Sequence, residues 1–584
     1  MWRHDSSQIP PRILPRVTPL TKPLHLAGAL FELNIMSSSL RYAISSFLFF
    51  LAWTIPYHYY PWVSASQDLL AFLALIIILK IKHIKILIAT IITLLTLLAP
   101  SITKLYQDQT FFGDLWVFFG YLFAFCLSYI TGRTWSQEER SGFIDWLFFF
   151  SIAASLLSVF IAIMQWFRVD YGVWIASMPP NSRPFGNMAQ PNNLATLLCL
   201  GLVGIYFFYE QKKITTQLLI TLTTIFIFGI ALTQSRTAIV SVFLISLLWL
   251  YKRDSLDKRI KIWHFSLIII TLLGLAYVIP RISTALLLNS SSLAERASSL
   301  ERIGIYKQFA IAIWDGPIFG YGANQIAEAQ LLTAKKFSVP IQVEYTHSFA
   351  LDLMIWFGLI PGLLIILVLF LHLLKNTHES KSKEKIFSLL AINPIITHSL
   401  LEYPHAYAFF LIPLGLLFGI SSNQLKPANQ ESRKNIECLF PIACVVLVLI
   451  TWHEYLQIES DARIMRLQSA GIDITSEEPT PKTYLLTQLS NFIKFAKSKA
   501  HSEMTEEELS WMKKVSYRYP YPPCIFRYSI ALALNGFEPE SLDALKNIKR
   551  LYGPEKYEEA VKNLSHVPGI PQRILILARE EIAL

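Results

Sequence analysis

The sequence predicts an all-α polytopic membrane protein with about 12 to 13 transmembrane helices, a large extracytoplasmic loop and a C-terminal helical domain. Of its 584 residues, 53% are hydrophobic and only 16% are charged, whereas soluble domains carry about 25% charged residues. The apolar residues recur in blocks of roughly 14 to 27, and most of these blocks can cross a bilayer core of about 30 Å. Composition therefore excludes a soluble globular enzyme, a disordered protein and a disulfide scaffold.

The first 35 residues differ from the rest, because they hold five prolines and three arginines and no apolar block. Met36 then begins a segment with a basic residue ahead of the first apolar block, as at a true start. We expect residues 1–35 to be an extension ahead of that start, or else a disordered cytoplasmic tail.

Thirteen apolar blocks are predicted to span the membrane, at 40–55, 67–80, 85–100, 111–131, 142–166, 192–209, 214–233, 236–251, 263–280, 347–373, 386–402, 404–421 and 438–453. The loops between alternate blocks are rich in lysine and arginine, and all of them lie on one side if the N-terminus is cytoplasmic. The net charge of +10 therefore reflects membrane orientation and not nucleic-acid binding.

This orientation predicts two parts after the N-terminal extension. Residues 36–455 form a transmembrane domain, whose large loop 281–346 lies outside the cytoplasm, in the periplasm of a Gram-negative cell. Residues 456–584 are predicted to lie on the same side. Their charge rises and their apolar residues recur with helical period, which predicts a small helical domain for packing or docking.

Polar residues at membrane depth are costly and often mark functional sites. One group follows the fifth block in NSRPFGNMAQPNNLATLL, and its candidates are Arg183, Asn187, Gln190 and Asn193. Turn formation alone can explain Asn and Pro in a loop. Gln190 and Asn193, however, lead directly into the apolar LATLL, which favours a functional position at the membrane interface.

Three further cationic residues are predicted on the same face. Arg236 lies between two apolar blocks in TQSRTAIV, with no acidic residue near it in sequence. A snorkelling arginine is the alternative, but the tight turn favours binding of an anion such as phosphate. Arg302 and Lys307 lie on an amphipathic segment of the large loop, where a solvated helix face is an equal alternative.

A histidine and an acidic loop complete the set. His347 opens a block from the extracytoplasmic side in EYTHSFALDLMIWFGLIPG. A lone histidine at an interface is more often structural. His347 is a candidate because it is predicted on the same membrane face as Arg183 and Arg236. The turn THSLLEYPHAYAFFLIPLG returns to the same face with the polar residues His398, Glu402, Tyr403, His405 and Tyr407.

Over roughly residues 180–420 the chain contains, in order, RPFGNMAQPNNLATL, QSRTA, ERIGIYKQ, DGPIFGYGANQ, THSFALDLMIWFGLIPG and LLEYPHAYAFFLIPLGLL. Together these segments resemble the PglL-type bacterial protein O-oligosaccharyltransferases, within the O-antigen ligase and Wzy polymerase superfamily. Residues 456–584 are similar to the additional C-terminal domain of some members.

The resemblance implies transfer of a preassembled glycan from undecaprenyl pyrophosphate to Ser or Thr of periplasmic proteins, often pilins, with no metal or other cofactor. His347 matches the histidine held essential in the family, whereas Ser348 stands where Asn is usual, which leaves the role of position 348 open. The implied partners are the lipid-linked oligosaccharide, a pilin-like acceptor protein and the bilayer.

Chemistry then assigns roles to the candidates. A neutral imidazole is a natural base for the acceptor hydroxyl, so His347 is the predicted catalytic residue. The other candidates are predicted to bind the pyrophosphate or the glycan: Arg183, Asn187, Gln190, Asn193, Arg236, Arg302, Lys307, Glu402 and Tyr403.

Two alternatives remain at this point. An O-antigen ligase or a repeat-unit polymerase differs only in its acceptor. A multi-span transporter or flippase is a different class, but transporters place ionisable groups near the midplane of paired repeats. Here the polar residues gather at one face and no internal repeat is evident.

Overall fold

The computed structural model describes residues 37–79, 84–169, 172–179, 182–288, 301–425, 434–469, 472 and 482–583. These residues form helices and no strand, which confirms the all-α prediction. The predicted extension, residues 1–35, lies outside the described residues.

The first ten helices precede the large loop. They are α1 (Ser38–Thr54), α2 (Ala65–Ile78), α3 (Ile84–Leu97), α4 (Ala99–Tyr106), α5 (Phe112–Thr134), α6 (Gln137–Trp166), α7 (Pro191–Glu210), α8 (Thr216–Thr233), α9 (Arg236–Lys252) and α10 (Ile262–Ala285).

Two helices lie within the large loop, α11 (Glu301–Asp315) and α12 (Ile326–Thr333). The apolar helices that follow are α13 (Phe349–Phe357), α14 (Leu359–Glu379), α15 (Lys383–Leu401), α16 (Ala408–Ser421) and α17 (Lys434–Ser469). The chain ends in six shorter helices, α18 (Thr487–Lys497), α19 (Glu506–Arg518), α20 (Pro522–Leu534), α21 (Glu538–Tyr552), α22 (Pro554–Leu564) and α23 (Gln572–Ala583).

Among the described residues, seven helices are long and apolar enough to cross a membrane, and the bent pair α3–α4 makes an eighth if it counts as one span. The chain is thus a multi-pass membrane protein, but thirteen spans exceed the number that meets this criterion. The remaining predicted blocks form shorter or less apolar helices, such as α2 and α16 with 14 residues each. The block 347–373 is broken in two at Gly358, whose φ of 92° ends α13.

Helix α7 is the centre of the bundle. It is apolar on all sides and almost completely buried between α6, α8 and α15, as expected for a helix without a solvent face. At Gly201 a Cβ atom would lie 2.3 Å from Ser155 Oγ and 2.8 Å from the Phe226 ring. This close approach of α6 and α8 fixes where the N-terminus of α7 lies.

The six C-terminal helices pack into a small domain that contacts the rest of the chain through buried charges. Glu454 of α17 accepts hydrogen bonds from three successive backbone amides, those of residues 484–486, at 2.9 to 3.0 Å. Arg518 of α19 donates to the buried Asp114 of α5 at 2.8 Å. Tyr521 donates to Glu344 at 2.6 Å, so the domain reaches the loop that leads to His347.

Candidate active site

Glu402 follows directly after α15, and its carboxylate is the centre of the candidate site. Glu402 is only 3% exposed. Oε2 lies 2.6 Å from Nδ1 of His347. Oε1 accepts from Asn192 Nδ2 at 3.3 Å and forms an ion pair with Arg302. One buried carboxylate therefore joins three parts of the chain that are far apart in sequence.

The surroundings of Glu402 keep it ionised. Burial raises the pKa of this carboxyl. The hydrogen bond and charge of His347, together with the charge of Arg302, lower the pKa by more than burial raises it, so the net pKa lies below the usual glutamate value. Because a carboxylate only accepts hydrogen bonds, Nδ1 of His347 carries the proton in this pair.

His347 is held so that its other nitrogen is free. Its backbone has a φ of 60°, which is uncommon for a residue other than glycine, and its carbonyl accepts from Tyr306 at 3.3 Å. The ring lies edge-on to Tyr403, with centroids 5.2 Å apart. The side chain is 25% exposed, and Nε2 has no hydrogen-bond partner among the described residues. Nε2 is thus available to accept a proton.

Residues at the starts of three helices contact Glu402, and the start of a fourth helix reaches it through Asn192. Asn192 is in the first turn of α7, and its Oδ1 accepts from Ser235, the N-cap of α9, at 2.8 Å. Arg302 is in the first turn of α11, and His347 comes just before the N-cap of α13. Helix N-termini carry partial positive charge and favour anions. The surroundings therefore suit a phosphate-bearing ligand.

Arg236 and Arg183 flank this network at the turn between α8 and α9. Arg236 follows Ser235 and is exposed, and its side chain forms no hydrogen bond or ion pair within the part of the chain that the structure describes. Arg183 donates to the carbonyl oxygens of Thr233 and Gln234 at 2.8 and 3.1 Å. Arg236 is therefore available for a ligand, whereas Arg183 also holds the turn.

Comparisons with known proteins match both halves of the site. Residues 221–367 match the O-antigen ligase family model, and residues 386–565 match the model of the virulence factor membrane-bound polymerase C-terminal region. The chain is 28% identical over 531 residues to the general O-oligosaccharyltransferase of Acinetobacter baylyi, covering 87% of this chain and 92% of the relative. It is 29% identical over 467 residues to the ComP-specific O-oligosaccharyltransferase of the same organism, covering 77% and 82%.

These matches support the resemblance of the chain to the PglL-type O-oligosaccharyltransferases. It is accordingly a glycosyltransferase, as the sequence predicts. Within this transferase, Arg302 and His347 lie in the first matched region, and Glu402 and Tyr403 lie in the second.

The three amide residues that were predicted to bind substrate do not contact the Glu402 carboxylate among the described residues. Asn187 bonds to backbone atoms of Thr54, Trp174 and Ala176, and Asn193 bonds to the carbonyl of Met188. Gln190 is the N-cap of α7 and accepts there through its carbonyl. These contacts shape the loop, and substrate binding by the three amides stays a prediction.

Tyr403 and Lys307 also have protein partners. The Tyr403 ring stacks on Tyr345 at 5.1 Å, beside His347. Lys307 is exposed and lies 4.6 Å from the centroid of the Phe337 ring. Tyr403 therefore contacts the predicted base, whereas Lys307 does not contact the Glu402 network among the described residues.

Sequence reasoning did not select Asn192 or Ser235, which connect Arg236 to Glu402. Both are short polar residues at the start of a helix, and each is adjacent in sequence to a residue that was predicted to bind substrate. Adjacent side chains on a helix point in directions about 100° apart. Asn192 and Asn193 therefore face different sides of α7, and this geometry could have identified Asn192 as a separate candidate.

Proposed function

We propose that this transferase moves an oligosaccharide from a lipid pyrophosphate, such as undecaprenyl pyrophosphate, to Ser or Thr hydroxyls of periplasmic proteins such as pilins. The supporting observation is the His347–Glu402 pair. It places an imidazole with one nitrogen on the carboxylate and the other open beside cationic groups, in a protein whose relatives are named for oligosaccharide transfer.

His347 would act as the general base. As the acceptor oxygen bonds to the anomeric carbon, its proton passes to Nε2, and the bond from that carbon to the pyrophosphate oxygen breaks. Glu402 holds Nδ1 and stabilises the imidazolium that forms, as the carboxylate does in a catalytic triad. His398 is less suited to this role, because it is fully buried and its Nδ1 contacts Thr196 at 2.8 Å.

The leaving pyrophosphate gains negative charge as the bond breaks. Arg302 and Arg236 would bind it, with the helix N-termini that meet at Glu402. Arg302 is 42% exposed and already faces the site. Arg183 would contribute mainly by holding the turn that carries Arg236.

The membrane positions the two substrates. A lipid carrier is anchored in the bilayer and the acceptor is soluble, so the reaction must take place at the leaflet boundary. We propose the periplasmic side of the inner membrane, with 36–455 as the catalytic membrane domain. The helices of 456–584 would then form a docking module, which contacts the loop ahead of His347 through Tyr521.

Co-expression with a lipid-linked glycan pathway and candidate pilins, followed by intact-mass measurement, tests the proposal. A glycan-sized mass increase on an acceptor protein, absent in His347→Ala at equal abundance, is the expected result. The match to the O-antigen ligase model keeps one alternative acceptor. Transfer to lipid A core with no modification of any protein would identify a ligase instead.

A further inference from the structure

A second pair of a carboxylate and an imidazole lies behind the first. Asp352 in α13 and His405 in the loop after α15 are bonded through Oδ2 and Nε2 at 2.9 Å. Asp352 is 0% exposed and His405 is 8% exposed. Neither side chain contacts Glu402 or His347 directly, so this pair does not belong to the acid–base pair already described.

The second pair connects the two loops that carry the first pair. Asp352 Oδ1 accepts from the backbone amide of Thr346 at 2.9 Å, and Thr346 directly precedes His347. His405 is three residues after Glu402, in the 3-10 turn Pro404–Ala406. A single buried carboxylate thus binds the turn of His347 to the loop of Glu402.

The conformation of His347 requires such a restraint. A positive φ at a residue other than glycine is unfavourable and persists only where the surrounding structure imposes it. Thr346 is fully buried, and its Oγ1 bonds to both the amide and the carbonyl of Ser348, at 3.2 and 3.0 Å. The hydrogen bond from Thr346 to Asp352 anchors this tight turn to α13.

The environment of His405 argues against a role in proton transfer. Its Nδ1 is buried and has no hydrogen-bond partner among the described residues. The ring packs on Phe349 and Tyr345, at centroid distances of 4.8 and 5.9 Å. A proton on Nδ1 would be left unpaired in this apolar surrounding, so we assign the proton to Nε2, which donates to Asp352.

We infer that Asp352 and His405 are positioning residues, which hold the His347 imidazole in hydrogen-bonding register with the Glu402 carboxylate. Their effect on transfer rests on the proposed function, whereas their effect on the geometry of His347 does not. The two can therefore be measured separately.

The test uses three variants of the full-length protein. His405→Phe keeps a ring but removes the donor to Asp352. His405→Gln keeps an N–H near the position of Nε2. His372→Phe is the matched control, because His372 also lies in a hydrogen-bond network, with Tyr129, Asn376 and Ser422, towards the end of α14 far from α13. Thermal unfolding shows whether each variant is folded.

Two readouts are compared in these variants. For glycan transfer, His405→Phe should lower kcat at least about tenfold, with little change in KM for the lipid-linked donor, since misalignment of a base by about 1 Å is costly. For the imidazole itself, the rate at which diethyl pyrocarbonate modifies His347 should fall several-fold, as in Glu402→Gln. His405→Gln and His372→Phe should stay near wild type in both readouts.

A double mutant separates positioning from general destabilisation. If His405 acts through the His347–Glu402 pair, adding His405→Phe to Glu402→Gln should lower kcat little further, because the effects of coupled residues are not additive. A wild-type kcat and modification rate in His405→Phe would overturn the inference. It would also be overturned if the kcat losses of His405→Phe and Glu402→Gln multiplied fully in the double mutant, or if His372→Phe lost as much as His405→Phe. Wild-type transfer by His347→Ala would refute the proposed base, while the modification rates would still decide the positioning role.

Discussion

At the scale of single residues, the candidate site depends on one acidic side chain that both His347 and Arg302 contact. We predict that His347→Ala lowers kcat at least about 100-fold while lipid-linked glycan binding is nearly unchanged, because the base touches only the acceptor hydroxyl. Glu402→Gln should also lower kcat about 100-fold, because it removes the charge that stabilises the imidazolium. Single-turnover transfer and donor binding at matched protein levels measure both effects. Near wild-type transfer by His347→Ala would exclude it as the base.

Arg236 allows a second prediction, about anion binding. Arg236→Ala should weaken donor binding and lower transfer by about 100-fold, as expected when a charge-assisted contact to a reacting anion is lost. Arg236→Lys should restore only part of the loss, because an ammonium lacks the planar fork of donors. Arg281→Ala is a suitable control, since this exposed arginine folds over Tyr277. Equal effects of Arg236→Ala and the control would contradict a pyrophosphate role.

Glu402 also predicts how stability responds to acid. Its pKa is lowered in the folded protein, so its contribution is complete above the ordinary glutamate pKa and is lost as the pH falls through the lowered value. As the pH falls below the ordinary glutamate pKa, wild-type thermal stability in detergent should therefore fall more steeply than that of Glu402→Gln. The exposed Glu138→Gln is the control. Parallel curves for wild type and Glu402→Gln would show that no such linkage exists.

At the scale of helices, close packing at α7 determines where Asn192 lies. Gly201→Ala should destabilise the protein by about 1–3 kcal/mol, because the new methyl group overlaps α6 and α8. Gly120→Ala is the matched control, since nothing lies within 4 Å of its added methyl group. Thermal unfolding of both variants in the same detergent measures the difference. Equal stability of the two would mean that α6 can move away from α7.

Apolar blocks and turn residues predicted most helices, because burial in lipid requires long apolar segments with internal hydrogen bonds. Sequence also placed His347 and Glu402 on one face. It did not pair them, since they are 55 residues apart and their contact depends on how α13 and α15 pack. It also counted 347–373 as one span, because hydropathy alone does not register the break at Gly358.

At the scale of the whole molecule, the distribution of lysine and arginine predicts orientation. A reporter active only in the periplasm should be active when fused after residue 460 or within 310–340, and inactive within 376–384. Activity at 376–384 would place α14 the other way round. It would also put His347 on the cytoplasmic side, where the proposed acceptors are absent.

The contacts of the C-terminal helices have a consequence for how the protein can be divided. Deleting residues 482–583 would leave the buried Asp114 without Arg518 and would leave Glu454 without its three backbone donors. Breaking one buried ion pair typically costs about 3–5 kcal/mol. Loss of glycosylation by a truncated chain could therefore result from unfolding of the membrane domain as well as from loss of the docking module. Point substitutions on the outer face of α21 to α23 are the informative way to look for an acceptor surface.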